Sequence, residues 1–167
     1  NFKGSPAAFS GKFRLPGIWG LQVAGKYGIR GDVIHHIWEG VCAMRMRKKK
    51  NLVPRMEACG SCLVRDPFAM RGRWRTLMPD ARELRVELGC GKGRFTADTA
   101  AAEPDVLLIA VEKVPDAMVV AMERVTEAGL RNVFFVDGDA ALLPDMFAPG
   151  EIDRLYINFC DPWPKSN

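Results

Sequence analysis

A glycine-rich segment is the part of this sequence best suited to binding a cofactor. Residues 89–93 read GCGKG, so Gly89 and Gly91 would let the backbone pass close to a ligand with no Cβ in the way. A dinucleotide-binding fingerprint needs a glycine at the sixth position, which this chain lacks. A phosphate-binding P-loop needs Ser or Thr directly after its lysine, and Lys92 is followed by glycine. The segment therefore predicts a ligand other than a dinucleotide or a nucleoside triphosphate.

Acidic residues around this turn indicate the kind of ligand. Glu112 lies 21 residues past Gly91, where a carboxylate can accept both hydroxyls of a ribose. Glu87, just before the turn, adds a negative charge that would repel phosphate and favour a cation. S-adenosylmethionine combines an adenosine with a sulfonium and an α-ammonium group, so these charges favour it as the cofactor. The alternative is a glycine turn that only packs a strand against a helix.

A second unusual segment lies at residues 158–165, which read NFCDPWPK. Pro162 and Pro164 fix φ at two positions and hold the segment rigid. Asp161 would then lie at the mouth of the cofactor crevice, four residues before Lys165. The alternative is a proline-rich turn that does no more than end a strand.

Strands that alternate with helices must position these residues. The hydrophobic pattern predicts strands over 84–88, 106–111, 132–136 and 153–159. It predicts helices over 56–64, 67–77, 94–102, 115–128 and about 140–143. Such alternation predicts a parallel sheet with right-handed crossovers, in which ligands bind at the carboxyl ends of the strands. Four acidic residues follow such ends: Glu87, Glu112, Asp139 and Asp161.

These motifs resemble those of the tRNA (guanine-N7)-methyltransferases. The similarity covers about residues 44–167 and depends on VELGCGKGRF, VEK, NVFFVDGDA and INFCDPWPK. It implies a class I methyltransferase (Rossmann-like) α/β fold, a mainly parallel sheet with helices on both faces. The carboxy-terminal strands of that fold are missing from this sequence, so we expect a truncated domain that is inactive on its own.

The resemblance also implies functions for individual residues. With the two glycines of the turn, the cofactor-binding set is Glu87, Gly89, Gly91, Glu112, Asp139 and Asp161. Asp161 is the catalytic candidate and Lys165 contacts the RNA, a tRNA that is methylated at N7 of a variable-loop guanosine. Guanine N7 needs no deprotonation, so catalysis can be largely placement, with Asp161 on the guanine edge or near the developing positive charge. A class I methyltransferase with another substrate and a non-catalytic RNA-binding homologue are the alternatives.

Charge divides the chain into three parts. Residues 1–43 keep no helical or strand period, and we expect them to be a non-native or disordered leader, or else a glycine-rich extension. Residues 44–55 carry six basic residues and no acid, which predicts a basic arm that contacts phosphates. Residues 56–167 are the expected S-adenosylmethionine-binding domain.

Composition excludes several classes of protein. Apolar residues make up 48% of the chain and charged residues 26%, as in an ordinary globular domain. No apolar run approaches the roughly 20 residues needed to cross a bilayer, and no secretory signal is apparent. Cys59 and Cys62 form a C-x-x-C with no second pair, so no metal site is expected. We expect a cytoplasmic protein, either monomer or homodimer.

Overall fold

A six-stranded sheet is the centre of the computed structural model, which describes residues 11–12, 22–24 and 48–158. The strands are β1 (Gly11–Lys12), β2 (Gln22–Ala24), β3 (Glu83–Leu88), β4 (Val106–Glu112), β5 (Val133–Asp137) and β6 (Arg154–Ile157). The α-helices are α1 (Leu52–Ala58), α2 (Arg94–Ala102), α3 (Pro115–Glu127) and α4 (Leu143–Met146). Short 3-10 helices cover Gly60–Cys62, Trp74–Leu77 and Ala140–Leu142.

The strand order places the carboxyl ends of β3 and β6 side by side. The sheet runs β1-β2-β6-β3-β4-β5, and all pairs except β1–β2 are parallel. The chain moves outward from β3 to β4 to β5 and then returns to the other side of β3 with β6. This reversal is a topological switch point, where open parallel sheets bind ligands. The predicted parallel α/β architecture is confirmed.

Apolar side chains cover both faces of the sheet. Six of the seven residues of β4 are buried, which explains its continuous apolar run. One face packs against Trp74, Met146 and Phe147. The other packs against α2 and α3, and an apolar stripe of α3 is buried there: Met118, Ala121, Met122 and Val125. The sheet is therefore the middle layer of a three-layer domain.

The chain before β3 differs from the sequence-based prediction. The helix predicted over 56–64 begins earlier, at Leu52, and ends at Ala58, because Leu63 leaves it to pair in parallel with Phe135 of β5. The helix predicted over 67–77 is wrong except for the 3-10 turn Trp74–Leu77. Gly72 has a φ of 75°, a left-handed conformation that interrupts a helix. None of the helices in the described ranges is long and apolar enough to span a membrane.

Candidate cofactor site

The glycine turn joins β3 to α2 with three residues in the left-handed region. The φ angles are 72° at Gly89, 55° at Gly91 and 70° at Gly93. The amide of Gly89 donates to Val111 O at 2.9 Å, and that of Gly93 donates to Cys90 O at 2.9 Å. Residues with a Cβ rarely adopt such positive φ angles, so the backbone conformation of the turn itself requires glycine.

Gly91 and Gly93 differ in what surrounds them. A Cβ added at Gly91 would meet no atom of the described residues within 4 Å, so these residues leave open space beside it. A Cβ added at Gly93 would lie 2.5 Å from Ala121 Cβ and 2.8 Å from Ala121 Cα, on α3. Gly93 therefore allows helix packing, whereas Gly91 leaves room beside the turn. The sequence alone did not separate these two functions.

Glu112, at the end of β4, holds the turn through its carboxylate. Its Oε2 accepts from the Gly91 amide at 2.8 Å. Its Oε1 accepts from the amides of Lys113 and Val114, each at 2.9 Å. A carboxylate has about four acceptor sites, so one remains for a ligand. Binding both ribose hydroxyls, as expected from the sequence, requires release of one of these amides.

Glu87 is almost fully buried beneath the turn, with 1% of its surface exposed. Its Oε2 accepts from Thr96 Oγ1 at 2.6 Å, and its Oε1 accepts from Asn158 Nδ2 at 3.2 Å. Burial raises the pKa of Glu87, the two hydrogen bonds oppose this, and the charge of Glu112 adds to it. A cation nearby would stabilise this buried carboxylate, whereas a phosphate would destabilise it.

Asp139 follows β5 and faces the loop after β4. Its Oδ2 accepts from Lys113 Nζ at 2.8 Å. Its Oδ1 accepts from the Ala141 amide at 2.9 Å and caps the 3-10 helix there. The structure thus places Asp139 at the same end of the sheet as Glu112, as predicted, with part of its charge balanced by Lys113.

Asp137 and Asn158 are residues that the sequence analysis missed. Asp137 ends β5 in register with Glu112, and burial, with the charge of Glu112, raises its pKa. Asn158 follows β6, where its amide donates to Leu88 O at 3.1 Å. An acid at the end of a buried strand was a usable signal for Asp137, since Glu112 has the same context. Asn158 begins the unusual segment 158–165, but its contact with Glu87 was not predictable because Glu87 lies 71 residues away.

Asp161 and Lys165 lie outside the described residues, and their predicted functions stay predictions. The described part of the basic arm packs on α3. Arg55 Nε and Nη2 donate to the two carboxylate oxygens of Glu123, each at 2.6 Å, and the Lys49 amide donates to Asp116. The guanidinium of Arg55 is therefore held by a carboxylate rather than left available for a phosphate.

The cysteines of the described part are buried. Cys59, Cys62 and Cys90 are free thiols inside the domain. Burial raises the pKa of Cys62 and of Cys90, so their reactive thiolate forms are disfavoured. Within residues 48–158, no group of three or more His, Cys, Asp or Glu side chains could hold a metal ion.

Known methyltransferases are similar in sequence to about half to three-quarters of this chain. A family model described as "Putative methyltransferase" matches residues 81–167. The tRNA (guanine-N(7)-)-methyltransferase of Geobacillus kaustophilus (strain HTA426) is 41% identical over 122 residues, which are 73% of this chain and 56% of that protein. The enzyme of the same name from Limosilactobacillus fermentum (strain NBRC 3956 / LMG 18251) is 40% identical over 123 residues, or 74% and 57%.

The chain spans a little over half the length of these curated relatives. Among solved structures, the antibiotic-resistance methyltransferase Kmr is 28% identical with a TM-score of 0.45, over 56% of this chain and 49% of that one.

Proposed function

The chain belongs to the methyltransferase family whose model matches residues 81–167, and we propose that it is an S-adenosylmethionine-dependent methyltransferase that acts on N7 of a guanine in tRNA. The main support for S-adenosylmethionine as the cofactor is the space that the described residues leave beside Gly91. This space lies at strand ends that carry the acids Glu112 and Asp137. The substrate is supported by relatives named tRNA (guanine-N(7)-)-methyltransferase at about 40% identity.

The residues present fit S-adenosylmethionine. Gly91 leaves space for the ligand, and Glu112 keeps an acceptor site for a ribose hydroxyl. Glu87 is buried and burial raises its pKa, so its negative charge is poorly solvated and a cationic ligand nearby would stabilise it. When bound, S-adenosylmethionine supplies an electrophilic methyl group on a sulfonium.

Asp161 would act on the nucleobase. Guanine N7 carries a free lone pair, so no base has to remove a proton before the methyl is attacked. In this proposal Asp161 accepts a hydrogen bond from the guanine edge or offsets the positive charge of the methylated base. It follows Asn158, which the Leu88 carbonyl and the Glu87 carboxylate hold at the end of β6. Lys165 and the basic residues of the arm other than Arg55 would add phosphate contacts.

The cellular setting is part of the proposal. We place the reaction in the cytoplasm, where tRNA is modified, and take the active species to be a monomer or a homodimer. Asp139, at the same end of the sheet as Glu112, is the remaining residue that we propose to bind the cofactor.

Methyl transfer to tRNA tests the proposal directly. The full-length protein is incubated with labelled S-adenosylmethionine and bulk tRNA, and the tRNA is then cleaved at 7-methylguanine. We expect Asp161→Ala to lower kcat by roughly 10²-fold, the range for loss of one charge-stabilising group, with little change in cofactor affinity by calorimetry. Asp145→Asn, an exposed acid on α4, is the matched control.

Three results would contradict parts of this assignment. If the protein bound no S-adenosylmethionine, the proposed methyltransferase activity would be wrong. Cofactor uptake with label on another acceptor would favour a different class I substrate. Binding of both cofactor and tRNA with no transfer would favour the non-catalytic RNA-binding homologue.

A further inference from the structure

A basic loop precedes β3, on the α4 side of the sheet. We call residues 65–73 the arginine loop, after Arg65, Arg71 and Arg73, which are all exposed. Within residues 48–158, no carboxylate pairs with any of these three guanidiniums; Arg71 Nε donates to the Pro144 carbonyl at 3.3 Å. Six arginines elsewhere in that range have carboxylate partners: Arg55, Arg75, Arg82, Arg85, Arg94 and Arg154. The arginine loop therefore presents guanidinium groups that the fold itself does not neutralise.

Consecutive turns hold the arginine loop compact. Amides of Met70, Arg71 and Arg73 each donate to the carbonyl three residues earlier, at 3.2, 3.3 and 2.7 Å. Such overlapping turns keep side chains three residues apart close together. Asp66, the single acid of the loop, accepts from the Ala69 amide at 3.0 Å, so its carboxylate turns to the backbone.

Buried contacts anchor the end of the arginine loop. Trp74 is fully buried, donates from Nε1 to Met146 O at 2.8 Å and stacks on Phe147 with ring centroids 4.7 Å apart. Glu151 accepts from the Gly72 amide at 2.8 Å and from the Trp74 amide at 3.1 Å. Substitutions on the exposed side of the loop should therefore leave its backbone in place.

An exposed aromatic ring accompanies the guanidiniums. Phe68 is 51% exposed, although burial of such a ring would be favourable. Leu63 pairs in parallel with Phe135, so the chain runs along β5 toward its carboxyl end as it enters the arginine loop. The start of the arginine loop therefore lies toward the end of β5 that carries Asp137, whereas its last residues are held by Glu151, just before the amino end of β6.

We propose that the arginine loop is an RNA-docking surface, in which the three guanidiniums bind phosphates and Phe68 stacks on an unpaired base. This inference depends on the proposed function, since it takes the RNA to be the methyl acceptor. Guanidinium groups bind phosphate in a bidentate way, and aromatic rings stack on unpaired bases. An acidic polypeptide would explain the guanidiniums but not the exposed ring.

Salt-dependent binding of fluorescent tRNA to the full-length protein tests the surface. Each phosphate contact to a single strand contributes about 0.7 to the slope of log affinity against log salt. We expect Arg73→Ser to reduce the slope by about that amount, and the triple serine variant of Arg65, Arg71 and Arg73 to reduce it by about 2. Affinity of the triple variant at ~0.1 M salt should fall at least roughly tenfold.

Two further variants separate stacking from charge. Phe68→Leu keeps an apolar side chain but removes the stacking ring, and it should weaken tRNA binding roughly fivefold to tenfold with an unchanged salt slope. Arg131→Ser is the control, because Arg131 is exposed, has no carboxylate partner within residues 48–158, and precedes the opposite end of β5. It should alter neither slope nor affinity. Cofactor uptake by calorimetry should be the same in all variants.

The outcomes are distinguishable. If wild type binds and methylates tRNA while the triple variant matches Arg131→Ser, the docking surface is wrong and the proposed function stands. If wild type takes up cofactor but binds no tRNA, both the surface and the tRNA substrate are wrong. Displacement of bound tRNA by polyglutamate more effectively than by single-stranded RNA would identify a surface for an acidic protein and overturn the RNA assignment.

Discussion

Alanine at two glycines of the turn separates helix packing from ligand binding. Gly91 and Gly93 both have positive φ, so alanine at either position costs about 1–2 kcal/mol of backbone strain. At Gly93 the new Cβ would also lie 2.5 Å from Ala121 Cβ, and such overpacking costs about 1–3 kcal/mol more. Gly93→Ala should therefore lower the free energy of unfolding by roughly 2–5 kcal/mol.

Gly91→Ala should reduce stability less than Gly93→Ala but should weaken cofactor binding. Its Cβ meets no atom of residues 48–158 within 4 Å, so the loss of stability is limited to the strain of about 1–2 kcal/mol. The same Cβ would project into the space proposed for the cofactor, so we expect affinity for S-adenosylmethionine to fall at least tenfold. Denaturant unfolding and calorimetry measure the two effects. Equal stability of the two variants would refute the packing argument, and unchanged cofactor affinity of Gly91→Ala would refute the ligand argument.

Three other predictions concern buried groups. Because burial raises the pKa of Glu87 in the folded state, wild type should lose stability relative to Glu87→Gln as pH rises above the unfolded value of about 4.3; parallel stability profiles from pH 4 upward would contradict this. Trp74→Ala should lower the free energy of unfolding by about 3–5 kcal/mol, since the ring is fully buried against Phe147, and denaturant melts measure it. Cys62 and Cys90 should resist iodoacetamide at pH 8 until the chain unfolds, because burial raises both pKa values; peptide mass mapping that finds either alkylated in the folded chain would refute their burial.

The elements after residue 83 were predictable because their signals are local. Pro115 begins α3, and Gly129, with a φ of 67°, follows its end, as expected from the preferences for proline at a helix start and glycine after its end. The apolar stripe between them is buried. A continuous apolar run likewise marked β4.

The chain before β3 was less predictable because distant contacts decide it. Leu63 takes a strand partner 72 residues ahead, in β5. Trp74 is fixed by the Met146 carbonyl, 72 residues ahead. Local propensity favoured helices at these positions, and tertiary pairing with strands and loops late in the chain overrode it.

In the candidate site too, features with local signals were predictable and features set by distant contacts were not. The positions of Glu87, Glu112 and Asp139 at or just after strand ends were predictable because strand ends can be read from the sequence, whereas their binding of a cofactor stays a prediction. The distinction between Gly91 and Gly93 depends on how close α3 approaches, which no local pattern encodes. Asn158 was missed for the same reason, since its partner Glu87 belongs to another strand.

The hydrogen bonds of the glycine turn have a consequence for binding energetics. Glycine loses more conformational freedom on ordering than any other residue, yet the amides of Gly89, Gly91 and Gly93 each donate a hydrogen bond to an acceptor within the protein itself. The entropy of ordering this loop is therefore lost during folding, and an arriving ligand meets a preorganised surface. Any change that loosens the contact between β3 and β4 should then weaken ligand affinity without altering an atom that the ligand touches.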